Sequence, residues 1–168
     1  VLRWMEENRT TMENAPMCEA VAYFVQGLCL GYLGLIFDQA FAITHETDSL
    51  ENPEPVSYQN MLSEALKSLD KAITLSETAS FILPSEWLPG DSWNQDELAR
   101  LARSFTARFL VYGVRGKNEN QKTDWDRVYR YTREGIQKDF APLADDENWY
   151  SMYYLYSNFT GWVQTDMY

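Results

Sequence analysis

One histidine, two cysteines and 14 basic residues are all that 168 positions supply of the side chains that most often carry catalysis, metal binding or nucleic-acid binding. A nucleophilic triad needs a base held beside a Ser or Cys. His45 lies in an acidic stretch, and no Gly-x-Ser-x-Gly elbow occurs anywhere in the chain. Zinc takes three or four His, Cys or carboxylate donors at defined spacing. The segment His45-Glu46-Thr47-Asp48 offers too short a set, and Asp145-Asp146-Glu147 lacks the spacing and the glycine of a calcium loop, so both are expected as solvated loops. The glycines of the first helix fall inside an apolar run rather than between a strand and a helix, which excludes a phosphate cradle. No cofactor, no metal and no catalysis are expected. Glycoside hydrolysis needs only two carboxylates about 5 to 10 Å apart, but nothing singles out a pair such as Asp145 and Glu147, and it ranks third among the readings.

Basic residues are outnumbered by 25 acidic ones, for a formal net charge of -11. Such a surface repels phosphate backbones and anionic lipids, so nucleic acid is not an expected partner. Neutral ligands, cations and other proteins remain. Cys18 and Cys29 are separated by about 16 Å along one expected helix at 1.5 Å per residue, beyond disulfide reach, and both are expected as buried thiols. The chain opens on Val1-Leu2-Arg3-Trp4 without an initiator Met or a leader, and it stops at Asp166-Met167-Tyr168 straight after an aromatic stretch. A piece of a longer protein is expected.

Apolar periodicity is plentiful. Val21, Phe24, Val25, Leu28, Leu33 and Ile36 recur at helical spacing, in a long apolar helix expected from about Asn14 to Ile43, with Asn14 as cap and Pro16 in the first turn. Gly27, Gly31 and Gly34 form a second stripe inside it, each costing up to about 1 kcal/mol relative to Ala. Close approach of another helix backbone is the packing need that would offset this. A membrane span is rejected, because the uncharged run from Val21 to Phe37 falls short of the roughly 20 apolar residues required.

A second helix begins after Ser57, with Met61, Leu62, Ala65, Leu69, Ala72 and Ile73 on one face, and is expected to pair antiparallel with the first. Phe81-Ile82-Leu83-Pro84 and the turn Pro89-Gly90-Asp91 read as an ordered loop whose large apolar residues are buried. A third helix starts at Asn94, with Glu97 completing an approximate capping box, and ends near Tyr112-Gly113. Residues 115–123 read as a polar loop. Asp124 then caps a fourth helix, expected to turn Trp125, Val128, Tyr129, Thr132, Ile136 and Phe140 inward until Pro142 stops it. The fold expected is all-α: one helical region over 1–168, with tetratricopeptide-like antiparallel hairpins over 14–140 and an irregular, aromatic-rich ligand-side segment over 141–168. The helix spacing does not repeat at the 34 residues of a regular tetratricopeptide array.

The aromatic fraction is 15 %, from 6 Trp, 11 Tyr and 8 Phe, more than packing demands. For Phe24, Phe105, Phe109, Trp125 and Phe140 the spacing points to the core. Trp149, Tyr150, Tyr154 and Trp162 fall outside any clear period, beside Asn148, Asn158 and Gln164. Indole and phenol faces stack on the C–H face of a sugar while neighbouring amides bond its hydroxyls, so these four are the candidate ligand-binding residues.

Several segments, in order and in register, resemble the SusD/RagB-like nutrient-uptake lipoproteins of the Bacteroidetes outer membrane. They are Phe24-Val25-Gln26-Gly27-Leu28-Cys29-Leu30-Gly31-Tyr32-Leu33-Gly34 leading into Phe37-Asp38-Gln39-Ala40-Phe41; Glu64-Ala65-Leu66-Lys67-Ser68-Leu69-Asp70-Lys71-Ala72-Ile73; Ala102-Arg103-Ser104-Phe105-Thr106-Ala107-Arg108-Phe109; and Asp124-Trp125. The resemblance spans roughly residues 14 to 140. It implies a fragment of a surface-exposed outer-membrane lipoprotein that captures a glycan or other nutrient without catalysis, for import through a SusC-like TonB-dependent transporter. The lipid anchor of such proteins has no counterpart here, and Cys18 lacks the apolar stretch that precedes a lipidated cysteine. A generic helical-repeat interaction module is the second reading.

Overall fold

A computed structural model describes residues 1–47 and 53–143. Among these the protein is all-α, with several packed helices and one minimal pair of strands. Helix α1 spans Leu2–Asn8 and runs through a short 3-10 turn, Arg9–Thr11, toward α2, Ala15–Ile36. α3 covers Tyr58–Thr78, α4 Gln95–Tyr112, α5 Lys117–Lys122 and α6 Trp125–Arg133.

α2 is shorter than its apolar run. It stops at Ile36 instead of continuing to Ile43, because Phe37 is extended (φ -110°, ψ 149°). Gln39–Ala40 (β1) then pairs antiparallel with Val56–Ser57 (β2), Gln39 opposite Ser57 and Ala40 opposite Val56. Arg115, arriving from beyond α4, claims the carbonyls that a longer helix would have used. Its Nη2 donates to Gly34 O at 3.0 Å, Phe37 O at 3.2 Å and Leu35 O at 3.4 Å, its Nη1 pairs with Asp38, and its guanidinium lies 3.7 Å from the Tyr58 ring centre. A planar fork of donors does this and a single ammonium does not. Arg115→Lys is therefore expected to lower stability by about 1 to 2 kcal/mol, seen as a lower urea midpoint at unchanged slope.

Asn14 occupies the N-cap of α2, but its side chain makes no cap bond. The other caps are as the sequence indicates: Ser57 Oγ accepts from Asn60 N, Asn94 and Glu97 form a full capping box, and Asp124 accepts from Arg127 N. The two long helices pair antiparallel along the glycine stripe. Gly27 faces Leu69 and Ala65, while Gly34 faces Leu62 and Tyr58. A Cβ on Gly27 would come within 3.1 Å of Ala65 O, and one on Gly34 within 3.2 Å of Tyr58 O, so the backbones approach as the stripe requires. Gly31 instead faces Phe109 of α4. The core joins Phe24 to Leu69, Ile73, Trp93, Leu98, Leu101 and Phe109. By length and composition α2 does suffice to cross a membrane, with mean hydropathy 1.5 over an 18-residue window, contrary to the count from its uncharged run; core helices of soluble proteins meet the same criterion.

Other expectations are corrected. Both cysteines are free thiols, but Cys29 is exposed, and Cys18 is half-buried against the edge of the core rather than within it. In the 81–94 loop Leu83 is buried and Phe81 partly so, but Ile82 is 69 % exposed, since its bridge to Asn94 turns it outward. The polar 115–123 loop contains α5, whose Glu119 accepts from Tyr58 and Gln59 of α3 and from the Arg115 amide. The Tyr58 hydroxyl holds the Glu119 carboxyl below the ordinary carboxylate range.

The largest difference is at α6. Trp125, Tyr129 and Ile136, expected inside, are 46 %, 66 % and 41 % exposed, and Thr132 is exposed as well. The opposite face packs instead. Arg127 pairs with Asp70 of α3 and stacks on Tyr131, Arg103 of α4 pairs with Glu134, and Gly135 sits against Ser104 of α4, whose Oγ accepts from Ile136 N. Charge pairs on half-buried arginines and a glycine notch outweigh the aromatic stripe. The helix ends at Arg133, and Phe140 lies beyond it, edge-on to Trp93.

Candidate functional site

α1 is held across α2 by polar contacts to the 44–47 loop. Arg3 donates from Nε and Nη2 to His45 O, at 3.0 and 2.8 Å, and from Nη2 to Thr47 O at 2.6 Å. Leu2 and Met5, three residues apart on the same face, are buried, which leaves Trp4 56 % exposed. Between α1, α2, Ile43 and Trp87 lies an open groove of about 1080 Å³. Its walls are largely apolar, including Val21, Val25, Met12 and the two tryptophans, with Arg3, Gln26, Thr44, His45 and Thr47 as its polar points.

One side of the groove is built on the lone histidine. The His45 side chain is only 8 % exposed, which corrects the expectation of a solvated loop at this residue. Its ring stands edge-on to Tyr23, with centroids 5.4 Å apart. Nε2 lies 3.3 Å from the Tyr23 hydroxyl and 3.3 Å from Glu6 Oε1, and Nδ1 lies 3.4 Å from Gln26 Oε1. Hydrogen-bond bookkeeping orients this chain of groups. Ser68 Oγ donates to Glu64 O, so it accepts from Gln26 Nε2 at 2.9 Å, which turns Gln26 Oε1 toward His45. Nδ1 then donates to Gln26 Oε1, and Nε2 faces both the Tyr23 hydroxyl and the Glu6 carboxylate. Burial, with Glu6 and Glu46 nearby, pushes the Tyr23 hydroxyl above its ordinary range, so it stays a donor.

The polar partners of His45 are a phenol, an amide and the Glu6 carboxylate, with neither serine nor cysteine among those described. Among the described residues no group of three or more His, Cys, Asp or Glu is placed to hold a metal ion. What the groove offers chemically is indole surface flanked by amide, hydroxyl and carbonyl groups, suited to a neutral ligand with both apolar faces and hydroxyls.

The sequence-derived candidates Trp149, Tyr150, Tyr154 and Trp162 lie outside the described residues, as do Asp48 and the 145–147 acidic triplet. Trp4 and Trp87 were not singled out by sequence. The signal for Trp4 was present: Leu2 and Met5 at helical spacing place it on the other face. Trp87, between Pro84 and Pro89, carried no such signal.

Comparison with known proteins identifies no relative: no family model, no curated protein and no solved structure matches the chain.

Proposed function

We propose that the chain is the helical, non-catalytic part of a SusD/RagB-type surface lipoprotein, in which tetratricopeptide-like hairpins support the capture of a neutral oligosaccharide for import through a TonB-dependent transporter. The observation that carries this reading is the groove beside α2, where Trp4 and Trp87 are set against Gln26, Thr44 and Thr47. Indole faces with hydroxyl and amide groups beside them are what a sugar ring needs. The four segments that carry the family resemblance also fall, in order, on α2 with β1, on α3, on α4 and at the start of α6. Trp149, Tyr150, Tyr154 and Trp162 belong to the same proposal as further stacking residues.

Calorimetric titration of the intact chain with neutral oligosaccharides tests it. Trp4→Ala is expected to weaken binding by about 1 to 3 kcal/mol while leaving the melting curve in place, as loss of a stacking anchor does. Trp149→Ala and Trp162→Ala should act in the same range. Absence of binding to any neutral glycan would remove the reading. The second reading, a helical-repeat interaction module, is favoured by the outward aromatic face of α6.

A further inference from the structure

α1 is a short helix with a light hold on the rest of the chain. Leu2 and Met5 are its buried residues, and its polar links among the described residues run from Arg3 to two carbonyls of the 44–47 loop and from Glu6 to His45. A segment of this kind opens at less cost than the whole fold unfolds. It also forms the wall of the groove that carries Trp4, so whatever alters the Glu6 contact alters that wall.

Each ring nitrogen of His45 meets an acceptor. Nδ1 lies 3.4 Å from Gln26 Oε1, and Gln26 is oriented by its own bond to Ser68, so the single proton of a neutral ring belongs on Nδ1. Nε2 is then bare and stands 3.3 Å from Glu6 Oε1, with no proton between them. The Tyr23 hydroxyl, 3.3 Å from Nε2, can donate to that nitrogen, but Glu6 still finds no donor on the ring. A second ring proton changes this. Nε2–H then donates to Glu6 in a charge-assisted bond.

We infer that His45 and Glu6 form a proton-operated latch on α1, fastened when the imidazole is charged and released when it is neutral. Imidazole is the side chain that changes charge near neutral pH. From the 44–47 loop, Glu46 Oε1 stands 3.9 Å from Nε2 and favours the charged ring, as Glu6 does. Arg3 of α1 opposes it, with its guanidinium on the His45 and Thr47 carbonyls. From α2, Tyr23 is a phenol held above its ordinary range by burial and the nearby glutamates, and so stays neutral. From α3, Glu64, Lys67 and Lys71 line the small cavity beside His45; Lys67 is paired with Glu64, and Lys71 is exposed. Because the bond to Glu6 needs the ring proton, the hold on α1 is present in mild acid and lost as pH rises. The latch stands on distances within the chain, whatever the groove binds.

The two thiols of α2 report on it. Cys18 is half-buried and lines the groove, while Cys29 is exposed and serves as the reference within the same molecule. The intact chain is pulsed with a pyridyl disulfide reagent at about pH 5.5 and at about pH 8, on either side of the imidazole range, and the ratio of Cys18 to Cys29 labelling is read by mass spectrometry. That ratio is expected to rise about fivefold with pH, the size of one partly exposed charge-assisted bond. Glu6 is 57 % exposed, so Glu6→Gln leaves the core in place and should give the higher ratio at both pH values. His45→Gln should do the same; where it loses helical circular dichroism, Glu6→Gln decides alone. A ratio that does not change with pH in the parent chain, or that changes as much in Glu6→Gln as in the parent, would overturn the inference.

Discussion

Gly31→Ala lowers the stability of the chain by about 1 to 2 kcal/mol, although alanine is the better helix former by roughly 1 kcal/mol. The sign follows from what the new methyl group meets. A Cβ on Gly31 would lie 2.6 Å from Phe109 Cδ2 and closer still to Cε2 and Cζ. Phe109 is 1 % exposed, and its ring is hemmed in by Tyr32 and Phe105, so it has no room to withdraw. Overpacking of this kind costs more than the helix gains. Gly31→Leu is expected to lose the native packing altogether. Urea denaturation checks both, and a double-mutant cycle with Phe109→Leu isolates the cause: Gly31→Ala should cost at least about 1 kcal/mol less in that background. A Gly31→Ala chain more stable than the parent would separate Gly31 from Phe109.

Trp93→Ala is expected to cost about 3 to 5 kcal/mol, the range for emptying a large buried aromatic site. Trp93 is 2 % exposed and ties the 81–94 loop to the stretch after α6. Its ring meets Phe140 edge-on at 5.1 Å, Lys138 Nζ sits 4.8 Å from its ring centre, and its Nε1 donates to Asp91 Oδ2 at 2.6 Å. Removing it releases the 81–94 loop and the stretch after α6 together.

The same indole sets a pH dependence. Its N–H, with Lys138 and the Ser92 amide adding to it, holds the Asp91 carboxyl below its ordinary range against the opposing effect of burial. A carboxylate depressed in the folded state contributes stability that is present above its unfolded value near about pH 4 and is lost as pH falls through the folded value. Lys138 runs the other way. Its bond to Glu97, then that to Asp91, raises it, so its contribution is present below its unfolded value near about pH 10.4 and is lost as pH rises beyond that. Trp93→Phe keeps the ring and drops the donor, so the acid-side loss should shrink while the alkaline one stays. Thermal melts across pH 2 to 11 read both limbs.

Where the chain decides its structure locally, the sequence was legible. Ser57, the Asn94–Glu97 pair and Asp124 each cap a helix next to their own position, and the apolar faces of α3 and α4 are set by periodicity alone. Where distant residues decide, it was not. The end of α2 depends on Arg115, which lies 78 residues beyond Phe37. The rotation of α6 depends on Asp70 and Ser104, which no pattern within α6 contains. The groove depends on His45 meeting Glu6, Tyr23 and Gln26, and on an Arg3 clasp to a loop whose polar composition looked solvated. Aromatic count pointed to a ligand surface but could not say which tryptophans stand beside hydroxyls.

The glycine stripe of α2 also limits how the protein can move. Leu69, Phe109 and Leu62 enter three successive notches from two different helices. Sliding α2 by one turn along either neighbour would drive all three side chains into filled positions at once. Shear between packed helices, one of the two common modes of domain motion, is thereby blocked at the centre of the fold, and rearrangement on binding falls to hinges at the ends of α2, the C-terminal one held by the Arg115 clasp.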